Sequence, residues 1–261
     1  MTRLPVAPNR ELGQHFLVDE NILGVIGRLA DLGADDVVLE IGPGLGVLTH
    51  YLAERVGHVH AVELDRGLEP YLAERVAGCE NVGLVFGDAL ALDLAALEPA
   101  STKLVANLPY NVATPVVVES LDGLLSVRLW CVMVQREVAE RFFARPSTKA
   151  YGAVSVLVQL AAERSGFHPV SAAVFRPRPN VESALVAFRR IALPASYQRV
   201  KALVTSAFAH RRKTLANSLE LSGFASRAGA ADALARIGRP AGVRAEALEP
   251  AEFVQLSAEL A

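Results

Sequence analysis

Short apolar runs alternate with helical patterns along the first two-thirds of the chain. The runs at residues 36–41, 58–64, 82–86, 103–106 and 128–134 are typical of buried strands, and helical spacing follows at 47–55, 67–77 and 135–144. Strands that alternate with helices indicate a parallel sheet wound by right-handed crossovers. Residues 167–174 and 183–189 are predicted to add a later antiparallel pair.

The pattern changes towards the carboxyl end. From Tyr197 onward only helical periodicity is evident, at residues 197–210, 212–221, 228–237 and 250–260, with Pro194 and Pro240 as breaks. We therefore predict an α/β domain over residues 1–190 and a small all-helical domain over 197–261, joined near residues 191–196.

The charge of the chain is unevenly distributed. The 261 residues are 52% hydrophobic and 21% charged, as in soluble globular proteins, and the formal net charge is only −2. Between residues 141 and 219, however, 13 Lys and Arg residues face two acids, while the rest of the chain holds 13 basic and 26 acidic residues. Segregation of this size indicates a surface for a polyanion such as a nucleic acid.

Membrane insertion and metal binding are disfavoured by the sequence. No apolar run approaches the roughly 18 residues of a membrane helix, and residues 1–10 lack the apolar stretch of a signal peptide. Cys79 and Cys131 form no CxxC pair, so we expect two thiols in a reducing compartment and no metal site. We therefore expect a cytoplasmic protein.

The predicted strand ends carry candidate ligands for a nucleotide-like cofactor. The first strand runs into Gly42-Pro43-Gly44-Leu45-Gly46, whose GxGxG spacing differs from the GxGxxG of dinucleotide enzymes. Glu63 and Asp88 close the second and third strands and could bind a ribose and an adenine amino group. Because ligands bind beyond the carboxyl ends of parallel strands, these residues should meet in one site. Asp65 remains an alternative to Glu63 for the ribose.

The fourth strand ends at Asn107-Leu108-Pro109-Tyr110, which resembles the N-[LI]-P-[YF] motif of amino-directed methyltransferases. An adenine amino group is a poor nucleophile because its lone pair is delocalised into the ring. The Asn107 side-chain carbonyl and the Leu108 backbone carbonyl could accept its two hydrogens and direct the lone pair at a methyl group. Pro109 stiffens the turn, and Tyr110 offers a ring on which the base can stack.

Taken together, these segments are similar to the KsgA-type family of small-subunit rRNA adenine dimethyltransferases. The similarity runs from Leu12 to about Leu260 and rests on GQHFL (13–17), VLEIGPGLGVLT (38–49), VELDR (62–66), GDAL (87–90), NLPYN (107–111), VQREVAERF (134–142), YGAVSV (151–156), FRPRPNVESA (175–184) and RRKTLANSL (211–219). The last segment discriminates best, since it lies outside the donor site that many methyltransferases share.

The resemblance implies a Rossmann-like class I methyltransferase sheet with S-adenosylmethionine as cofactor. His15 and Leu17 would line the donor pocket, together with Gly42, Gly44, Glu63, Asp88 and Asn107. Many relatives carry Asn at the position of His15. Phe175 would press on the target adenine opposite Tyr110, and Arg211, Arg212 and Lys213 would contact RNA phosphate.

The resemblance also implies a substrate. Family members methylate two adjacent adenosines, each twice, in a hairpin loop near the 3′ end of small-subunit rRNA. We therefore expect ribosomal RNA in a small-subunit precursor as the partner, no membrane partner, and a monomeric enzyme.

Three alternatives remain open at this point. An Erm-type resistance methylase of large-subunit rRNA would share the fold and both pockets. A ribosome-assembly factor that has lost catalysis would keep the fold, although intact Gly42, Glu63, Asp88 and NLPY argue against such a loss. A dinucleotide-binding oxidoreductase is disfavoured by the glycine spacing and by NLPY.

Overall fold

The computed structural model describes residues 4–9 and 12–260. The signal-peptide expectation rests partly on residues 1–3 and 10, which lie outside the described residues. Two compact units are present: unit 1 comprises Met1–Ala139 and Arg164–Arg190, and unit 2 comprises Glu140–Glu163 and Ile191–Ala261. The division differs from the predicted boundary, because residues 140–163 group with the helical carboxyl-terminal residues.

A seven-stranded mixed sheet forms the centre of the α/β fold. Two further strands of two residues each, β1 and β8, make a separate small sheet. The strands in chain order are β1 (Phe16–Leu17), β2 (Val37–Ile41), β3 (His58–Glu63), β4 (Val82–Phe86), β5 (Lys103–Asn107), β6 (Leu129–Gln135), β7 (Ala162–Val170), β8 (Phe175–Arg176) and β9 (Ser183–Arg190).

The large sheet has the order β4-β3-β2-β5-β6-β9-β7. Strands β2 to β6 run parallel, and β9 lies antiparallel to β6 with Leu129 opposite Arg189 and Gln135 opposite Ser183. The five predicted parallel strands are all present. Of the predicted late pair, β9 agrees closely, whereas β7 begins five residues earlier than expected. The central β6 is buried over six of its seven residues, as expected for a strand covered on both faces.

Helices follow most of the parallel strands. Those that lie wholly or partly in unit 1 are α1 (Asn21–Ala30), α2 (Val47–Ala53), α3 (Glu69–Arg75), α4 (Ala113–Gly123) and α5 (Arg136–Phe142). Helix α1 packs against β5, β6 and β9, and its buried Ile22, Leu23 and Ile26 join the core under the sheet. This burial of one apolar helix face closes the sheet on that side.

Unit 2 contains the remaining helices. They are α6 (Ala153–Ala161), α7 (Tyr197–Phe208), α8 (Leu215–Leu221), α9 (Arg227–Arg236) and α10 (Pro250–Glu259). Leu203, Leu219, Leu234 and Phe253 from four of these helices are fully buried. The Tyr151 hydroxyl donates a hydrogen bond to the Leu248 carbonyl at 2.8 Å. The predicted helical character of the carboxyl-terminal residues is therefore present, with α6 added from earlier in the chain.

No helix in the described ranges is both long enough and apolar enough to cross a membrane.

Candidate active site

A cavity lies at the carboxyl ends of β2, β3, β4 and β5, within unit 1. Each of these strands contributes the residues at its end, and the segment that leads into β1 contributes another wall. The lining residues fall in the ranges 12–17, 40–45, 47–48, 62–64, 87–90 and 107–112, with Leu68 and Val116 in addition. The site therefore has the position that open parallel sheets use for ligands.

The glycine turn after β2 gives one wall of this cavity its shape. Gly42 and Gly44 have φ angles of 74° and 59°, a region that side-chain-bearing residues rarely adopt. A Cβ atom at Gly42 would lie 3.1 Å from the Pro109 ring, and one at Gly44 would lie 3.0 Å from the Phe16 ring. Because neither glycine has a side chain, the turn can lie close to Pro109 and to Phe16.

Glu63 reaches the cavity from the end of β3. Its Oε2 accepts a hydrogen bond from the Gly44 amide at 3.0 Å, and its Oε1 accepts one from the Asp65 amide at 2.9 Å. Burial raises the pKa of the Glu63 carboxyl, while these amide bonds oppose the rise. Asp65 is absent from the cavity wall, and its carboxylate instead accepts hydrogen bonds from Gln14 and Gly67. The geometry therefore favours Glu63 over Asp65 as the ribose ligand.

Asp88 lines the same cavity and follows the end of β4. Its Oδ1 accepts a hydrogen bond from the Leu90 amide at 2.9 Å, which fixes the carboxylate at the cavity wall. Leu64 and Leu90 also line the cavity and are 52% and 44% exposed. An acid flanked by exposed aliphatic side chains suits a purine, which has apolar faces and a polar edge.

Glu40 is a wall residue that the sequence reasoning did not select. It is only 1% exposed, its Oε2 has no hydrogen-bond partner in the described part of the chain, and it lines the cavity. Burial raises its pKa to about 8, and the nearby charge of Glu63 adds to the rise. An orphaned buried carboxyl oxygen fits a cationic ligand, and the sulfonium donor S-adenosylmethionine is such a ligand. An acid two residues before a glycine turn was the available signal.

The raised pKa predicts how stability depends on pH. The folded protein holds the Glu40 proton up to about pH 8, whereas the unfolded chain releases it near 4.5. The stability contributed by this proton is therefore complete below pH 4.5 and is lost as the pH rises to 8. We expect Glu40→Gln to gain stability relative to the parent over this range, by up to about 5 kcal/mol.

Urea unfolding of the donor-free protein between pH 5 and pH 9 measures this difference. The exposed Glu80→Gln variant is the matched control and should show a constant difference from the parent. A constant difference for Glu40→Gln as well would contradict the raised pKa.

The cavity has two halves: a donor half at the glycine turn, Glu63 and Asp88, and an acceptor half at residues 107–110. Asn107 lies where the two halves meet. Its Nδ2 donates a hydrogen bond to the His15 carbonyl at 3.2 Å. This bond orients the side-chain amide, and no hydrogen bond within the described residues uses its Oδ1. The Asn107 side-chain oxygen is therefore available as an acceptor for an incoming amino group.

The rest of the motif continues the same wall. Leu108 is 1% exposed, and its amide donates a hydrogen bond to the Met133 carbonyl at 3.1 Å. Tyr110 is half-buried, and its Oη lies 2.6 Å from the Ser183 Oγ. Burial raises the pKa of the Tyr110 hydroxyl, so the ring is a neutral phenol at physiological pH. A neutral aromatic ring held by its hydroxyl is a suitable stacking platform.

His15 and Leu17 place the β1 segment over the cavity. The His15 Nδ1 is 2.7 Å from the Pro177 carbonyl, and its ring centroid is 5.5 Å from that of Tyr110. Leu17 is buried and pairs with Phe175 in the β1–β8 sheet. Both residues line the cavity, as the resemblance implied.

Phe175 is the predicted site residue that the structure places elsewhere. Its side chain is fully buried, belongs to the hydrophobic core with Leu17 and Leu23, and does not line the cavity. In the two-residue strand β8, Phe175 points inward while Arg176 is exposed. The contact of Phe175 with the target adenine therefore stays a prediction, and in this structure Phe175 packs in the core behind the β1 wall.

The predicted RNA-binding residues lie in unit 2. Arg211, Arg212 and Lys213 are exposed in the turn between α7 and α8, and the Lys213 amide donates to the His210 carbonyl at 2.8 Å. Thr214 is the N-cap of α8, and its side-chain hydroxyl accepts a hydrogen bond from the Asn217 amide. The three cations form no ion pair with any described residue.

The two cysteines are free thiols, and Cys131 is buried. Burial raises the pKa of the Cys131 thiol to about 12, which keeps it protonated and unreactive. Within residues 4–9 and 12–260, no cluster of three or more His, Cys, Asp or Glu side chains is arranged to hold a metal ion.

Comparison with known proteins decides the family. The family "Ribosomal RNA adenine dimethylase" matches residues 7–261. The chain belongs to this family. A relative from Rubrobacter xylanophilus is named ribosomal RNA small subunit methyltransferase A. It is 47% identical to this chain, over 95% of this chain and 94% of the relative.

Solved structures agree with the fold of this ribosomal RNA adenine dimethylase. A dimethyladenosine transferase from Plasmodium falciparum has a TM-score of 0.77 at 23% identity, over 93% of this chain and 96% of the other. The 23S rRNA methyltransferase ErmE has a TM-score of 0.67 at 28% identity, over 94% and 99%. The Rossmann-like class I methyltransferase fold is thereby confirmed.

Proposed function

We propose that this enzyme dimethylates the exocyclic amino groups of two adjacent adenosines in the 3′-terminal hairpin loop of small-subunit rRNA. As a member of its family, the chain is an rRNA adenine methyltransferase, and S-adenosylmethionine is its methyl donor. The observation that carries the proposal is the single cavity that joins the glycine turn and Glu63 to Asn107 and Tyr110. Donor and acceptor groups can thus meet without a metal or covalent intermediate.

The donor half would hold S-adenosylmethionine, which supplies the methyl group as an electrophile. Gly42 and Gly44 would let the cofactor approach the backbone, Glu63 would bind the ribose, and Asp88 would accept from the adenine amino group. The buried carboxyl of Glu40 lines this half with one oxygen that accepts no described hydrogen bond, and it could accept one from the donor. His15 and Leu17 would close this half from above.

The acceptor half would hold the target adenine on the Tyr110 ring. The Asn107 Oδ1 and the Leu108 carbonyl would accept the two amino hydrogens and aim the nitrogen lone pair at the methyl carbon. The hydrogen bond from Asn107 to His15 holds the amide in that orientation before substrate arrives. Most of the acceleration would then come from positioning the two reactants in line.

The substrate base must leave its helix or come from an unpaired loop, because the acceptor nitrogen sits on a base edge. Small-subunit rRNA is favoured over large-subunit rRNA since curated relatives from several bacteria are named small subunit methyltransferases at 37–47% identity. The Erm-type alternative and the silent assembly factor are therefore not favoured. We place the reaction on a small-subunit precursor in the cytoplasm, with a monomer as the active form.

The decisive experiment combines the protein with radiolabelled S-adenosylmethionine and unmethylated small subunits, followed by mapping of the labelled nucleotides. We expect label on two adjacent adenosines of one hairpin loop. Label on purified large subunits alone would support the Erm-type function. The absence of S-adenosylmethionine binding by calorimetry would support the assembly factor.

The basic turn of unit 2 gives a second test of RNA binding. Replacing Arg211, Arg212 and Lys213 together with alanine should weaken RNA binding. It should also reduce the slope of log affinity against log salt by about 2, since each phosphate contact releases counterions. Filter binding at several salt concentrations measures this slope. The Arg227→Ala variant removes an exposed cation from the same unit and should leave the slope unchanged; an unchanged slope in the triple variant would remove the phosphate role.

A further inference from the structure

The loop of residues 177–182 joins β8 to β9. Hydrogen bonds at its two ends connect it to residues that line the active-site cavity. The Pro177 carbonyl lies 2.7 Å from the Nδ1 of His15, and Ser183, directly after the loop, lies 2.6 Å from the Tyr110 hydroxyl. His15 and Tyr110 are both cavity residues. The 177–182 loop therefore borders the acceptor half of the site.

The same loop is held at both ends by further contacts. Before it, β8 pairs with β1, with Arg176 opposite Phe16. At its far end, the Glu182 carboxylate accepts a hydrogen bond from the Ala172 amide at 3.1 Å, and the Glu182 carbonyl accepts one from the Arg136 amide at 3.0 Å. Pro177 and Pro179 restrict the backbone between these points. The loop thus presents its exposed side chains in a fixed arrangement.

Two side chains of the 177–182 loop are exposed beside the site and are candidates for contact with a ligand. Arg178 is exposed, and its guanidinium makes no hydrogen bond or ion pair with any described residue. Val181 is 45% exposed. The neighbouring Arg176 differs, because its guanidinium donates to the carbonyls of Ala173 and Phe175. An unengaged cation and a partly exposed aliphatic side chain therefore lie three residues apart in the loop that borders the acceptor half.

We propose that the 177–182 loop binds the nucleotide next to the target adenosine, with Arg178 on its phosphate and Val181 against its ribose or base. The proposal rests on the proposed function and names how the substrate RNA is held at that same site. A base extruded into the cavity carries its flanking backbone to the cavity rim. A planar guanidinium on that rim can bind a phosphate through two N–H groups, and this contact positions the RNA without reading its sequence.

The test compares Arg178→Ala with Arg128→Ala in the 261-residue chain. Arg128 is also exposed and without a described side-chain partner, but it precedes β6 at the amino end of the sheet, opposite the cavity. With unmethylated small subunits as substrate, we expect Arg178→Ala to raise KM for RNA about tenfold at moderate salt. The slope of log KM against log salt should become shallower by about 0.7, as for one contact to single-stranded RNA. Arg128→Ala should match the parent.

Two readouts separate this role from a general structural defect. S-adenosylmethionine affinity, measured by calorimetry, should be unchanged in Arg178→Ala, and Arg178→Lys should recover part of the loss in KM because it restores the charge. Val181→Ser should raise KM without altering the salt slope, since it removes an apolar contact only.

The outcomes are distinguishable from failure of the proposed function. If the parent methylates small subunits while Arg178→Ala keeps the parent's KM and salt slope, the loop proposal is overturned and the function stands. Loss of donor affinity in Arg178→Ala would also overturn it, because the effect would then pass through the cavity. If the parent transfers no methyl group to small-subunit RNA, the proposed function itself fails.

Discussion

Replacing Asn107 with alanine is expected to lower kcat for methyl transfer about 100-fold or more. The variant loses the Oδ1 that would accept an amino hydrogen, and groups that act only on the reacting atoms typically cost this much when removed. It also loses the hydrogen bond from Nδ2 to the His15 carbonyl. Donor affinity should therefore fall much less than kcat, by about tenfold at most.

Single-turnover methylation of small subunits and calorimetry with S-adenosylmethionine measure the two effects separately. The Asn111→Ala variant changes a neighbouring cavity residue outside the proposed acceptor pair and should retain most of the turnover. Equal losses of rate and donor affinity in Asn107→Ala would assign Asn107 mainly to donor binding.

Reversing the charge of Glu63 should abolish useful donor binding. Glu63 is 6% exposed and bonds the Gly44 amide, so Glu63→Lys places a buried cation where a cationic donor must bind and breaks the link to the glycine turn. Placing two cations side by side costs several kcal/mol on binding, and the ribose hydrogen bonds are lost as well, so donor affinity should fall more than about 100-fold. Calorimetry with S-adenosylmethionine measures the effect.

A second variant keeps the test valid if Glu63→Lys does not fold. Glu63→Gln keeps the side-chain shape but replaces one carboxylate oxygen by an NH₂ group. Its affinity for S-adenosylmethionine should therefore fall about tenfold. Asp65→Asn, in a residue outside the cavity, should bind the donor like the parent. Weak binding in Asp65→Asn together with normal binding in Glu63→Gln would reverse the assignment of the ribose ligand.

The sequence predicted the strands and the strand-end residues well because their signals are local. A parallel strand buried on both faces gives a run of apolar residues, and the polar residue after it must lie at the ligand edge. This rule alone predicts that Asp88 and Asn107 lie at that edge, where both line the cavity. Glu40 did not, because one acid within the run VVLEI is easily taken as part of a strand rather than as a wall of the cavity.

Other features depend on contacts between distant residues. Helix α1 was missed because Gly24 and Gly27 weaken its helical signal; the structure shows that a Cβ at Gly27 would collide with the Tyr51 hydroxyl. Strands β1 and β8 are two residues long, too short for any periodicity. Residues 140–163 lie before β9 in sequence yet pack with the helical unit, which the order of elements along the chain does not reveal.

Phe175 illustrates a limit of a different kind. An aromatic residue beside a predicted site has the same appearance in sequence whether it contacts a ligand or supports the wall from behind. The structure shows Phe175 buried against the β1–β8 pair, a position that its neighbours in sequence do not reveal.

The pairing of β1 with β8 has a practical consequence for handling the protein. Residues 12–17 supply one side of the donor cavity and the carbonyl that orients Asn107. A protease cut or a bulky affinity tag close to this stretch would disturb cofactor retention while leaving the seven-stranded sheet intact. Preparations that look well folded by circular dichroism can therefore be inactive.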